Sequence, residues 1–315
     1  MSRPGYVFIV GSPRTGTSLL RDVLDTSKEV AICGETKFFG SPKTGAIVLK
    51  NLFGGSSPFA PNQTTQNFRQ ILSEVGDIKT DEGAKKIVDH IFSSELHVWR
   101  GVCQGTNKES FLQQVLASDR TDQALFDIIL HSYAKGKPIR GEKTPAHVHF
   151  LPTLYEWYPN TKFIHTFRDP RAIYISQRKK NHRVINWRHR LIGKSDVLND
   201  MFMAMHVIIT WRRVAELHRQ YQKQFPNDDY LLCRYEDLVS QPEPQIRRIC
   251  TFLDIEFSEA MLQQKVFNSS LIPRGQVHGF DSSAIDRWRQ HISPVINKWF
   301  VMSTKKYLLD LGYTP

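Results

Sequence analysis

Cysteine is scarce in this chain: Cys33, Cys103, Cys233 and Cys250 are widely scattered and none forms a CxxC pair. That spacing argues against a structural zinc site and a disulfide framework, and it predicts reduced, mostly buried thiols. No stretch approaches the roughly 18 consecutive apolar residues of a membrane span, and the chain has no internal repeat, low-complexity tract or Pro-rich linker. The opening Met1-Ser2-Arg3-Pro4-Gly5 runs straight into Tyr6–Val10 without the longer apolar segment and cleavage site of a signal peptide, so a cytoplasmic location is expected. Acidic charge is also in deficit, with 31 Asp and Glu against 42 Lys and Arg, a net charge of +11. This surplus favours an anionic partner and leaves nucleic acid, membrane surfaces and phosphorylated small molecules open. A hydrophobic content of 40% and a charged content of 23% lie near globular averages and exclude disorder. The 315 residues are enough for one large domain with a substantial core, and a single domain over residues 1–315 is expected.

The hydrophobic pattern alternates between short β-rich runs and helical stripes. Tyr6–Val10 reads as a strand buried on both faces, and Leu20, Val23 and Leu24 place one apolar face on a helix that follows it. Val30–Ile32, Pro138–Gly141, Lys162–Phe167 and Tyr230–Tyr235 read as further strands. Helices are expected over His147–Trp157, Arg171–Lys179, Val197–Tyr221, Pro242–Leu253 and Pro294–Leu309. In the long one, Leu198, Met201, Met205, Ile208, Trp211, Val214 and Leu217 form the expected core stripe. Residues 38–137 break the rhythm, with Gly54-Gly55-Ser56-Ser57-Pro58, a polar run and amphipathic stretches at Ala84–Phe92 and Ser110–Leu116. They read as a helical insertion or cap on a three-layer α/β/α fold with a central parallel sheet. Phe38, Phe39, Phe53, Phe59, Phe68, Phe92 and Trp99 make that insertion aromatic-rich, in keeping either with an ordinary core or with a pocket for an apolar or phenolic ligand.

Between the first strand and helix lies Gly11-Ser12-Pro13-Arg14-Thr15-Gly16-Thr17-Ser18. Glycines there allow a tight turn, and the amides of the helix start point outward at an anion. The glycine spacing matches a phosphate-binding loop of the GxxxxGK[ST] kind, but Thr17 stands where the lysine belongs and Ser18 follows it. The cation has moved to Arg14, whose guanidinium can fork onto oxyanions. This loop makes the expected fold P-loop-like.

The residues Pro13–Leu20 resemble the 5′-phosphosulfate loop of sulfotransferases that use 3′-phosphoadenosine 5′-phosphosulfate (PAPS), in the arginine-bearing version found in membrane-type and protein-tyrosine sulfotransferases. A second segment, Phe167-Arg168-Asp169-Pro170-Arg171-Ala172-Ile173-Tyr174-Ile175-Ser176, is similar to that family's 3′-phosphate signature, which implies that Arg168 and Ser176 hold the 3′-phosphate. Arg234-Tyr235-Glu236-Asp237-Leu238 resembles a third family segment and implies that Tyr235 flanks the adenine. The resemblance covers residues 6–37 and 138–257. Arg14, Thr15, Gly16, Thr17 and Ser18 are the implied 5′ site, and Arg274 in Pro273-Arg274-Gly275 resembles a basic loop over the 3′-phosphate.

Cys33-Gly34-Glu35-Thr36-Lys37 is similar to the CGEET segment of protein-tyrosine sulfotransferases and the GE motif of bacterial relatives, which implies that Glu35 is the catalytic base. Lys143, in Gly141-Glu142-Lys143-Thr144-Pro145, looks like the family lysine on the leaving phosphate or sulfonate. His147 and His149 compete with Glu35, since a histidine is the base in cytosolic sulfotransferases. Gly141 stands where protein-tyrosine sulfotransferases carry a cysteine, so Cys33 lacks that partner; the stretch between Glu35 and Lys143 is far longer than in those enzymes and would carry the acceptor pocket, so tyrosine specificity is not inherited. The resemblance implies metal-independent sulfuryl transfer from PAPS to a hydroxyl acceptor, whether small molecule, carbohydrate or phenol, with no nucleic-acid partner and no membrane span. An ATP- and Mg-dependent phosphotransferase would need a replacement for the missing loop lysine. A basic nucleic-acid-binding protein would instead use Arg178-Lys179-Lys180 and the cluster Arg183–Arg190. An inactive relative would bind the product 3′-phosphoadenosine 5′-phosphate (PAP) without turnover.

Overall fold

A computed structural model of the chain describes residues 5–39, 74–93, 105–181, 196–263 and 279–315. Tyr6–Gly11 (β1), Val30–Cys33 (β2), Ile139–Lys143 (β3), Lys162–Phe167 (β4) and Tyr230–Arg234 (β5) pair in parallel in the order β2-β3-β1-β4-β5. The helices are Thr17–Asp25 (α1), Asp81–Ser93 (α2), Lys108–Ala117 (α3), Asp122–Ala134 (α4), Leu151–Trp157 (α5), Pro170–Asn181 (α6), Asp196–Gln224 (α7), Tyr235–Ser240 (α8), Pro242–Leu253 (α9) and Pro294–Asp310 (α10).

Strand β1 is apolar throughout because both its faces are covered. Phe8 and Val10 point into one core with Phe126, Phe163 and Trp211, whereas Val7 and Ile9 point into the other with Leu20, Val23, Leu24, Ile246 and Ile249. Fully burying a side chain such as Phe8 contributes about 1.5–3 kcal/mol, and the same strand does this on both sides. The α1 and α9 helices form one outer layer, and α4, α5, α6, α7 and α10 contribute to the other. This is the three-layer α/β/α fold expected from the strand and helix rhythm.

Several details depart from the sequence pattern. Strand β3 runs on through Glu142 and Lys143, so these residues end the strand and do not follow it. Residues Pro145–Phe150 form a 3₁₀ turn, and the α-helix starts only at Leu151. The α7 stripe enters the core at Met203, Ala204, Val207 and Ile208, while Leu198 and Met201 are exposed. Helix α4 lies directly on the sheet: Phe126 stacks with Phe8 at 6.2 Å between ring centroids and meets Phe38 at 4.5 Å. Phe39 stacks on Phe150 at 5.0 Å and Phe92 packs edge-on to Phe111 at 5.5 Å, so these aromatic residues are core. Phe53, Phe59, Phe68, Trp99, Cys103 and Arg274 lie outside the described residues. Cys33, Cys233 and Cys250 are free and buried, and burial pushes the Cys33 thiol well above its ordinary value.

Candidate active site

The strand order places a functional crevice before any side chain is considered. From β1 the chain crosses toward β2 through α1 on one face, and from β4 it enters α6 on the other. The C-terminal ends of β1 and β4 are therefore a switch point, the place where open parallel sheets bind ligands. The loop Ser12–Gly16 leaves β1 there, and the turn at Arg168–Asp169 leaves β4 beside it, with Gly11 paired in register with Thr166.

Loop geometry is fixed from both sides. The Thr15 hydroxyl lies 2.7 Å from the Ser12 carbonyl, to which it donates, and 2.7 Å from the Thr166 hydroxyl, so Thr15 ties the loop to β4 and its side chain faces inward. Gly16 takes φ +87°, and a Cβ there would sit 2.5 Å from Cδ2 of Tyr235, whose ring closes over the loop. Arg14 adopts φ 74°, a left-handed conformation unusual for a residue with a side chain. It directs its Nε–H to the Ser176 hydroxyl at 2.9 Å. Thr17 and Ser18 open α1, whose start has no side-chain cap and no acidic residue in the first turn. The helix N-terminus, with its partial positive charge, is thus left open to an outside anion.

Arg168 reaches the same place from β4. Its Nη1 donates to the Arg14 carbonyl at 3.3 Å and its Nη2 to the Ala284 carbonyl at 3.0 Å, and its guanidinium lies 4.1 Å from the centre of the Tyr235 ring. Burial and then the neighbouring Arg168 lower the Arg14 pKa, and burial raises that of Tyr235. Two guanidiniums held this close in a partly dry site repel each other until an anion neutralises them. Arg168 Nε and Ser12 Oγ are moreover buried without a protein partner among the described residues. Unpaired buried donors beside an uncapped helix start fit a phosphate or sulfonate.

The neighbouring strands supply the second half. Glu35 follows β2, and Lys143 ends β3; the Lys143 ammonium donates to Glu35 Oε1 at 2.7 Å. Lys143 is buried, while the Glu35 side chain is 37% exposed and open to an incoming molecule. Behind them Glu142 is wholly buried. Its Oε1 accepts the Thr36 N–H at 2.7 Å, the Thr36 hydroxyl, and the Thr144 hydroxyl at 2.5 Å, and its Oε2 lies 2.7 Å from His147 Nδ1. Burial would raise the Glu142 carboxyl, but His147 and the two hydroxyls bring it below its ordinary value. His147 Nε2 accepts the Phe39 N–H at 3.3 Å, so both ring nitrogens are engaged by the protein. Burial lowers His149 to about 4, with Arg213 adding to the effect. Neither histidine is arranged as Glu35 is.

A family model described as the sulfotransferase family matches residues 4–259. The chain belongs to the sulfotransferase family. It is 24% identical over 257 residues to a putative protein-tyrosine sulfotransferase of Caenorhabditis briggsae, covering 81% of this chain and 68% of that one. It is 23% identical over 261 residues to a protein-tyrosine sulfotransferase of Drosophila melanogaster, covering 83% of this chain but only 40% of that protein's length. The sulfotransferase domain of the Synechococcus PCC 7002 olefin synthase shares its fold, with a TM-score of 0.61 at 19% identity over 100% of this chain and 97% of the domain.

Set on this sulfotransferase fold, Arg14, Thr15, Gly16, Thr17, Ser18, Arg168, Ser176 and Tyr235 gather around the switch point, and Glu35 and Lys143 pair at the adjoining strand ends. Arg178, from the basic cluster, pairs with Asp200 at 2.9 Å. Sequence reasoning missed the buried carboxylates of Glu142 and Glu236 and the buried Ser12 hydroxyl, which has no partner among the described residues. The local signal was a run of charge at a strand end, Glu142 and Lys143 after Gly141. Gly141 itself permits no side chain, because a Cβ there would lie 1.8 Å from the Val7 carbonyl, so a cysteine has no room at this position.

Proposed function

We propose that the protein transfers the sulfuryl group of PAPS to a hydroxyl acceptor, with Glu35 as the base. The observation that carries this reading is the meeting of Arg14, Ser176 and Arg168 around buried donors that have no partner among the described residues, at the same sheet edge as the Glu35–Lys143 pair. When bound, PAPS supplies the sulfuryl group and a bisphosphate leaving group. Arg14, Ser18 and the α1 amides hold the 5′ side, where charge moves during transfer, and Arg168 with Ser176 holds the 3′-phosphate. Tyr235 shapes the adenosine side by stacking on Arg168 and closing over Gly16. Thr15 ties the loop to β4, and Thr17 opens α1 beneath the 5′ side.

Glu35 accepts the proton of the acceptor hydroxyl as its oxygen bonds to sulfur and the donor's S–O bond breaks. An ammonium has three donor directions, and Lys143 spends one of them on Glu35. Once Glu35 is protonated, that ion pair weakens and the Lys143 charge becomes available to the departing phosphate. The acceptor approaches past the exposed side of Glu35. A cytoplasmic location, consistent with free Cys33, Cys233 and Cys250, is part of this proposal.

The test incubates purified protein with isotope-labelled PAPS and a metabolite extract in EDTA, with mass spectrometry for molecules that gain labelled sulfonate. A labelled product absent with Glu35→Ala, whose PAP affinity stays within a few fold of wild type, is the expected result. Equal loss of PAP binding in Glu35→Ala overturns the base assignment. Failure of PAP to protect the wild-type protein against heat overturns the donor assignment.

A further inference from the structure

Arg168 does its work from a two-residue turn, and what fixes that turn comes from far along the chain. The Asp169 N–H donates to Glu236 Oε1 at 2.9 Å, and the other oxygen of Glu236 accepts the Tyr313 hydroxyl at 3.0 Å. The Asp169 carboxylate is gripped by Arg171, through its N–H at 2.8 Å, its Nε–H at 3.0 Å and its Nη2–H at 2.7 Å. The same Nη2 donates to the Thr314 carbonyl at 2.5 Å, and the Arg171 guanidinium lies 4.2 Å above the Trp288 ring. The Tyr313 ring is held in turn beneath Arg234, at 4.5 Å. Asp169, Arg171, Glu236 and Tyr313 are all buried.

We propose that segment 311–314 is a positioning element of the donor site, with Tyr313 acting through Glu236 and Thr314 acting through Arg171 to hold the turn that presents Arg168. This deepens the PAPS reading and rests on it. Glu236 is suited to the task because it follows Tyr235: one residue secures the backbone beside Arg168, and its neighbour secures the Arg168 side chain at 4.1 Å. A guanidinium arranged before the ligand arrives loses less freedom on binding, which is how a residue outside the site raises affinity. Removing the Tyr313 hydroxyl leaves a buried Glu236 oxygen without that donor, a cost the turn relieves only by shifting.

The test compares wild type with Tyr313→Phe, which keeps the ring under Arg234. Titration calorimetry with PAP is expected to show a Kd raised about 5- to 20-fold, and hydrogen exchange in the unliganded protein is expected to quicken in peptides covering 168–176 and 235–240 while α1 is unchanged. Unaltered Kd and exchange in the variant overturn the proposal. A second arm needs no variant: coupling between sites is reciprocal, so PAP must slow exchange in the wild-type peptide covering 307–315. Absence of that slowing, with PAP bound, also overturns it. Should wild type fail to bind PAP, the donor reading falls by itself, and the exchange at 168–176 in Tyr313→Phe still decides whether 311–314 holds the turn.

Discussion

Replacing Arg168 by alanine separates an anion-binding arginine from a structural one. In the free protein Arg168 spends its Nη groups on the carbonyls of Arg14 and Ala284, at 3.3 and 3.0 Å, and Nε is buried without a partner among the described residues. It also burdens Arg14 with a second positive charge. Its removal therefore takes away two carbonyl contacts and a ring contact but relieves a repulsion, whereas in the liganded protein it takes away a charge-assisted hydrogen bond worth about 1.5–3 kcal/mol. That corresponds to PAP binding weakened by about 10- to 100-fold or somewhat more. At a PAP concentration of about 100 Kd the wild-type fold gains roughly 2.7 kcal/mol, and a 10- to 100-fold weaker site gains only about 1.4 to 0.4 kcal/mol. The assay is thermal or urea unfolding of both proteins with and without PAP. Arg168→Lys, which keeps the charge but loses the planar fork and the stacking on Tyr235, is expected to fall between them. A variant that loses stability without ligand yet keeps the whole PAP-induced gain would refute the reasoning.

Gly16→Ala is expected to lower the unfolding free energy by about 1–2 kcal/mol through left-handed backbone strain, and the new Cβ, 2.5 Å from Tyr235, is expected to push that ring aside and weaken PAP at least about tenfold; wild-type melting and PAP affinity in this variant would contradict it. The fold is also expected to be acid-sensitive through buried neutral histidines. His165 and His218 both point Nδ1 at the Tyr230 hydroxyl, at 2.5 and 2.8 Å, and burial holds His165 well below its ordinary value and His218, like His149, at about 4. The unfolded chain binds these protons below pH of about 6.5 while the folded one resists them, so stability is full above neutrality and falls as pH drops toward about 4, by roughly 1.4 kcal/mol per histidine at pH 5.5. Glu236, raised by burial, works the other way but is one group against three; urea midpoints that hold steady between pH 7.5 and 5.5 would exclude the effect.

The features legible in the chain were those written within a few residues of each other. The β1 run, Gly11 and Gly16 with their spacing, and the apolar face of α1 gave the loop, because burial on both faces and backbone freedom leave marks at short range. Arg168 and Ser176 were readable for the same reason, since both lie on one strand-to-helix segment. The end of β3 is hidden because Ile139-Arg140-Gly141-Glu142-Lys143 carries three charges in five residues and lacks an apolar run, and the buried Glu142 is tolerable there only through its donors from Thr36 and Thr144 with His147 alongside.

Local patterns in the chain carry the chemical parts: a phosphate-type loop with arginine in place of lysine, a strand-end arginine, a glutamate and a lysine. Which of these parts meet is settled by long-range packing. Arg14 reaches Ser176 across 162 residues of chain and Lys143 reaches Glu35 across 108, pairings that follow from the order β2-β3-β1-β4-β5. That order is chosen by how two cores are buried on opposite faces of one sheet, a property of the whole chain that no local pattern carries. The hold of Tyr313 on Glu236, and through it on the Arg168 turn, has the same origin.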